Sequence, residues 1–580
     1  MKTARRTAAV TLLLLAGWAA PAAAADYYVD SANGAANDAG PGTESEPWAH
    51  CPGMTGWTGS ASLQPGDVVY FHSAGQWEDG SGEAVLQAAA GVTYDGASWG
   101  SGDRAILRAT GDLHRSVISF MADHPTEATV VRGFEADAAG HVTTGVGVNW
   151  PQADGDLTGA TKRIENCVVH DTYSESGQGD YEYGIVISSG YGGQLHVSNV
   201  EVLDSTIFNT SRGGINLYSA NDDPQSHLSN LLIRGNEVYA SGMDPDYAGS
   251  ALAIKNHIQD AVVEFNYVHD SVRGGGIGIS SHEVGFRGPE NAIVRHNIVA
   301  GHAFVGVNLL VRGDTSVDLY GNIIMGNTYQ GVRLMGAQGQ LEWRIFNNTL
   351  LHNTEPDWSH EILIGGNDAT IVALEVSNNL IVADAVTMPL YDESGDITTH
   401  ESNLYYRPGD ATLARVESTS YSPTDITTWE PTALTGEPGF MDLDNLPWGF
   451  IGTFGVDLQP NTDGLNLAEG SPALDQGAAL GASYEDSINS VARPNGDGWD
   501  VGAYEFSPDA GAPPDAGSPP DAGDLPDAGG GGTDPGPGAY RTEDDGGCGC
   551  RLAGLAGGSS AGLLLLVLVG ASRVARRRRR

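Results

Sequence analysis

"VVEFNYVHDSVRGGGIGIS", Val262 to Ser280, holds the plan of the chain. It reads as a strand, a polar anchor at Asn266, a second strand, a turn, and a third strand led by glycine. The frame returns as "LLIRGNEVYASG" from Leu231, "AIVRHNIVAGHAFVGVNLL" from Ala292, "VDLYGNIIMGNTYQGVRLM" from Val317 and "LEVSNNLIVAD" from Leu374. Aligned anchors are Cys167, Ser205, Asn236, Asn266, Asn297, Asn322, Asn348, Asn379 and Asn403. The columns Ile164 to Val376, before the anchor, and Val169 to Ile381, after it, are apolar throughout. Fixed polarity at a repeat of roughly 24–38 residues marks a solenoid. Apolar and polar residues alternate in short β-branched runs, so its units are strands. A parallel β-helix explains the Asn column: coils stack at ~4.8 Å, and inward amides pair with those above and below. A buried amide is tolerable only when so paired.

The columns continue into the third strand. Its expected inward pairs run from Ile185/Ile187 through Leu252/Ile254 and Ile277/Ile279 to Ile362/Ile364, and Gly184, Gly214, Gly276, Gly306 and Gly331 precede such strands. Each inward side chain is worth about 1.5–3 kcal/mol when buried. Outward columns then read Val186, Asn216, Ala253, Gly278, Asn308, Arg333, Leu363 and Ser188, Tyr218, Lys255, Ser280, Leu310, Met335, Gly365. They predict a shallow groove lined by Asn216, Tyr218, Lys255, Ser280, Asn308 and Arg333. A flat ring with amide and cationic donors suits a sugar chain bearing carboxylates. Lysine is scarce, occurring only at positions 2, 162 and 255.

Residues 1–25 read as a secretory signal: Lys2, Arg5 and Arg6 precede an apolar run and "PAAAA". With 580 residues, a formal charge of -44 and only 29 Lys+Arg, the chain is unsuited to nucleic acid. Its acidity fits an exported surface protein, expected to be a monomer. Four cysteines give no disulfide framework. Cys167 fills a ladder position, and a bridge to Cys51 is left open. Residues 507–547 repeat "PDAG" and cannot bury a core, so they read as a disordered acidic linker. Residues 548–580 combine Cys548 and Cys550, a weakly polar span from Leu552 to Ser572, and terminal arginines, which reads as a transmembrane tail.

Several stretches resemble known families. "LQPGDVVYFHSAGQW" and "GVTYDGASWGSGDRAILRA" resemble the first coils of secreted right-handed parallel β-helix proteins of the pectate lyase-like superfamily. This makes 26–160 an N-terminal cap, with the Trp48–Trp57 region over the open end, and first coils. The regular repeats follow at 161–406. "EGSPALDQG" and "DGWDVGAYEF" resemble that family's closing segment, which implies that 407–506 continue the coils and cap the far end, with Arg493, Asp500, Gly502 and Glu505 structural. The last 35 residues or so resemble the MYXO-CTERM sorting tails of myxobacterial surface proteins. That implies cleavage or lipidation at Cys548 or Cys550 and an anchored location at the cell surface or outer membrane.

"LAIKN" resembles the strand bearing the catalytic lysine in the chondroitinase B-like and alginate lyase-like family. The resemblance implies β-elimination on an acidic polysaccharide, with Lys255 as base and Arg273 or His282 neutralising the uronate, since Ser280 stands where the family has arginine. Asp244 and Asp246, in "MDPDY", are candidate ligands for Ca²⁺, though the sequence fixes no cofactor. Two alternatives stay open. One is a non-catalytic adhesin or envelope scaffold. The other is a glycoside hydrolase using two loop acids among Glu175, Asp180, Glu182, Asp244, Asp246 and Glu283.

Overall fold

Each winding lays one strand on each of three sheets. Lys162–Glu165 joins the first sheet, Val168–His170 the second and Tyr183–Ser188 the third, and His196–Leu203 returns to the first. The computed structural model describes residues 24–507 except 142, 151–154, 173–182, 191–194, 220–225, 245–248, 282–286, 337, 354–359, 366–368 and 410. Each sheet has 13 strands, and neighbours are parallel until an antiparallel hairpin at Ala414–Val416 and Thr419–Tyr421. This is a parallel β-helix, and parallel crossovers of this kind wind right-handed. The signal, the acidic linker and the tail with Cys548 and Cys550 lie outside the described residues. Among the described residues no helix is long and apolar enough to cross a membrane.

The corner between the first and second sheets is two residues deep. A residue with positive φ, such as Asp204 (48°), Phe265 (53°) or Asn347 (50°), turns the chain, and the anchor follows. The anchors stack as expected. Asn236 donates its backbone N–H (3.0 Å) and side-chain amide (2.9 Å) to Asn266 Oδ1, and the pattern repeats rung by rung to Asn403. Cys167 joins through its N–H to Ser205 Oγ. Cys51 and Cys167 are buried, and no bridge joins them.

A second ladder, unseen in the sequence, lines the corner after the second sheet. Ser271 Oγ meets His302 Nδ1 at 2.8 Å, His302 N–H donates to Asn327 Oδ1, and Asn327 donates to Asn353 Oδ1. His302 stands in for an asparagine: its Nε2 reaches the Val268 carbonyl (3.1 Å), as Asn353 Nδ2 reaches that of Ile324. Burial lowers the His302 pKa to about 3, so the ring is neutral. The glycine column makes room for this ladder. A Cβ on Gly306 or Gly331 would lie 2.7 and 2.8 Å from the amides of Asn327 and Asn353.

Both ladders end on a buried glutamate that takes the place of the next asparagine oxygen. Asn353 donates its N–H (2.9 Å) and amide (2.6 Å) to Glu361, and Asn403 donates its N–H to Glu430 (2.8 Å). Burial raises Glu361 to about 8 and Glu430 to about 7, against the pull of these donors. A carboxyl raised in the folded state holds its proton where the unfolded chain has lost it. Its stabilisation is full below the ordinary value and is lost as pH rises through the folded one. This contribution to stability should therefore fall from about pH 4.5 to about 8. Glu361→Gln should flatten that slope in denaturant midpoints taken across the range; an unaltered slope would contradict the assignment.

The far end departs from expectation. The hairpin and a 3-10 turn at Ile426–Thr428 close it, with Leu413, Ala414 and Ile426 in the main core. The later residues of 407–506 are not the cap expected there; they run back along the flank. Leu465, Leu467, Ala473, Ile488, Val501, Ala503 and Tyr504 form a second core against outward residues of the second sheet, including Ile298, Ile323, Leu380 and Leu404. The reason is physical: this half of the outer face is apolar and needs cover. Arg493, with Glu505 at 2.9 Å and the carbonyls of Asp500 and Gly502 on its other N–H groups, ties the segment together.

Candidate functional site

Alternation on the third sheet sets its outer face. Register pairs Asn216 with Ala253, Tyr218 with Lys255, Lys255 with Ser280, and Asn308 with Arg333. The two outward columns read from the sequence therefore stand as rows in space. Their exposure differs from expectation. Asn216, Tyr218, Lys255, Ser280, Asn308 and Arg333 are all buried, with Lys255 and Arg333 each 4% exposed. Aromatic residues near both ends account for part of this. Trp150, Val186 and Tyr183 pack on Tyr218, and the Arg333 guanidinium lies 4.8 Å from the Phe304 ring centroid while its Nε donates to Asn308 Oδ1 (3.0 Å). Lys255 Nζ sits 5.5 Å from the Tyr218 ring centroid.

The remaining predicted residues fall in three groups. Arg273 precedes the strand Ile277–Ser280, whereas Lys255 aligns with that strand's last residue. The two thus mark opposite edges of the sheet, and Arg273 donates to the Met243 carbonyl at 2.6 Å. Asp244 is buried beside that carbonyl in sequence, its N–H donating to Ser211 O (2.9 Å). His282 and Asp246, with the loop acids Glu175, Asp180, Glu182 and Glu283, lie outside the described residues.

Sequence reasoning missed Trp150, Phe304, Arg212 and Arg312. Arg212 and Arg312 immediately flank the third-sheet strands Gly213–Tyr218 and Val307–Val311. A scan for cations bordering those strands would have found them. Elsewhere arginines sit in carboxylate ladders on the first sheet: Arg132 with Asp95 (2.8 Å), Arg163 with Glu201 (2.6 Å), Arg295 with Glu264 (2.7 Å) and Arg344 with Asp318 (3.1 Å).

Among the described residues one set brings three carboxylate or imidazole donors close enough for a metal: Glu135, Asp137 and His170, on the outer face of the second sheet. Its donors are already engaged. Arg108 Nε lies 2.6 Å from Asp137 Oδ2, Ala139 N–H donates to Oδ1 (2.7 Å), and the two imidazole nitrogens face Glu135 (3.4 Å) and Asp171 (3.0 Å). His269 repeats the pattern with Glu237 (3.4 Å) and Asp270 (2.9 Å). Burial disfavours the charged rings, but the adjacent carboxylates outweigh it and both histidine pKa values are raised. Between them His170, Phe208, Tyr239 and His269 stack nearly parallel, with centroids 4.9, 5.1 and 5.1 Å apart. This is packing held by ion pairs.

No family model and no curated protein matches the chain. Three solved structures illustrate its likenesses. The A-module of mannuronan C-5 epimerase AlgE4 from Azotobacter vinelandii aligns with 64% of this chain and 91% of its own, at 15% identity and a TM-score of 0.40. Pectate lyase Pel9A aligns over 83% and 96%, at 11% identity and 0.40. The GH136 lacto-N-biosidase from Eubacterium ramulus aligns over 60% and 68%, at 14% identity and 0.34. Strand register, not these likenesses, carries the fold.

Proposed function

We propose that the outer face of the third sheet binds an acidic polysaccharide and that Lys255 is the base of a lyase-like β-elimination. One observation carries the reading. In a chain of net charge -44, Arg212, Lys255, Arg273, Arg312 and Arg333 gather on and around one face over successive coils. Cations grouped against so acidic a background favour a polyanion through field and contact alike. In its neutral form Lys255 Nζ would take the proton next to a uronate carboxylate. The electron pair left behind forms the ring double bond as the glycosidic oxygen departs and is protonated. A cation beside the carboxylate would stabilise the charge that develops. In this reading the body works outside the cell, tethered through residues 548–580.

The burial of this face favours a second reading, a non-catalytic surface scaffold. Incubation with alginate, pectate and glycosaminoglycans separates them. Elimination yields an unsaturated uronate with a new ultraviolet absorbance, which Lys255→Ala should reduce at least 100-fold. Absence of product and of gel retardation on every polymer would leave the scaffold.

A further inference from the structure

We infer that Arg273, Phe304 and Tyr329 form a subsite for one uronate residue of an acidic polysaccharide, at the corner where the second sheet gives way to the third. The inference rests on the polyanion-binding half of the reading above, not on elimination at Lys255. The second ladder sets the register of this corner. Ser271, His302 and Asn327 are its successive rungs, and Arg273, Phe304 and Tyr329 each stand two residues further on. Backbone bonds carry the register past the ladder: Ala303 N–H donates to the Ser271 carbonyl (3.2 Å), Thr328 N–H to that of His302 (2.9 Å) and Tyr329 N–H to that of Phe304 (3.3 Å). Met243 fills the same place one rung earlier, and its carbonyl accepts from Arg273 at 2.6 Å. One cation and two rings thus follow one another at the strand spacing of ~4.8 Å, and all three are half-buried.

Arg273 is unlike the arginines of the first sheet. Arg132, Arg163, Arg295 and Arg344 each hold a carboxylate, whereas Arg273 pairs with none among the described residues and bonds a backbone carbonyl instead. Asp270, three residues before it, is engaged by His269 at 2.9 Å. A guanidinium partly in water, with N–H groups to spare, presents the fork that a carboxylate takes two-pronged. In a chain of net charge -44 an unpaired cation favours an anion brought from outside. The rings add flat apolar surface. Phe304 and Tyr329 meet at 5.3 Å with planes 62° apart, while the ring stack on the second sheet lies within 7°, 8° and 16°. Parallel rings cover each other; rings set edge to face leave one of them with a face its neighbour does not cover, against which the apolar side of a sugar can rest. The Arg333 guanidinium, 4.8 Å from the Phe304 centroid, carries positive charge from this corner onto the third sheet. A fork for one carboxylate beside a shelf for one ring is the chemistry of a uronate, since a neutral sugar would leave Arg273 idle.

Affinity gels of the full chain in pectate, alginate and a neutral glucan test the assignment, with each variant compared with its own lane free of polymer. The parent should be retarded by at least one acidic polymer and not by the glucan. Arg273→Gln should weaken that binding at least tenfold, as the loss of a charged hydrogen-bond donor does. Phe304→Ala and Tyr329→Ala should each weaken it roughly two- to tenfold, and Tyr329→Phe, which keeps the ring, should bind as the parent does. Phe304→Leu, which keeps the bulk, serves if the alanine variant melts early. Arg287→Gln is the control, because that exposed arginine already has Glu290 at 3.1 Å, and it should bind as the parent does. Parent-like affinity in a folded Arg273→Gln or in both ring variants, or equal retardation by the glucan, would overturn the subsite while leaving polysaccharide binding in place. Retardation by no acidic polymer would overturn both. Retardation that the corner variants lose, with no unsaturated product on any polymer, would uphold the subsite and overturn elimination alone.

Discussion

Ile254→Asp should unfold the central coils. Ile254 is fully buried, paired across the third sheet with Leu217 on one side and Ile279 on the other. An aspartate there loses the burial of the isoleucine and sets a carboxylate among apolar side chains, with no cation on the adjoining inward positions. Such a group either ionises at a cost of several kcal/mol or stays protonated and loses its water without a partner. The expected loss exceeds about 4 kcal/mol, the range reserved for broken cores. Ala253→Asp, one residue earlier and outward, should cost less than about 1 kcal/mol. Equal losses from the two changes, in denaturant midpoints or melting curves, would mean that inward and outward have been exchanged.

Asn297→Ala should be among the most damaging changes in the first ladder. Asn297 Nδ2 donates to the carbonyls of Val263 (2.9 Å) and Arg295 (2.9 Å) and to Asn322 Oδ1 (3.0 Å), and its own oxygen accepts the N–H (3.0 Å) and amide (2.9 Å) of Asn266. Truncation strips partners from fully buried groups on three coils at once. At about 1–3 kcal/mol for each buried group left unmade, partly offset by relaxation, the loss should be roughly 3–5 kcal/mol. It should also spread, since coils are stabilised by nearest neighbours. Hydrogen exchange should quicken at Asn266 and Asn322 as well as at the substituted rung. Asn291→Ala is the comparison: its amide meets Asp260 Oδ1 at 3.1 Å in an exposed row. If that variant lost as much as Asn297→Ala, burial would not be what gives the ladder its strength.

The coils and the Asn column could be read from sequence because each rests on a repeated residue type. Asn236 to Asn403 share one side chain, and Ile185 to Ile364 share one polarity, so alignment alone stacked them. The second ladder escaped because serine, histidine, asparagine and glutamate serve one geometry at Ser271, His302, Asn327, Asn353 and Glu361. No column of identical letters marks it; only the glycines opposite hinted at a filled corner. The register of Lys255 with Tyr218 and Ser280 was legible, but the burial of that face was not. Burial depends in part on Trp150 and Phe304, which lie outside the aligned strands, and on Tyr183, at the start of one. The path of residues after Phe440 was equally hidden, since an apolar outer face announces a need for cover without saying which segment supplies it.

That path fixes where the chain takes its leave. Ala503 N–H donates to Thr349 Oγ1 at 3.0 Å, so the last described residues lie against the flank near the tenth of the second sheet's thirteen strands, short of the far tip. The linker expected after residue 507 would therefore start on the flank of the coils, and not at the hairpin that closes them.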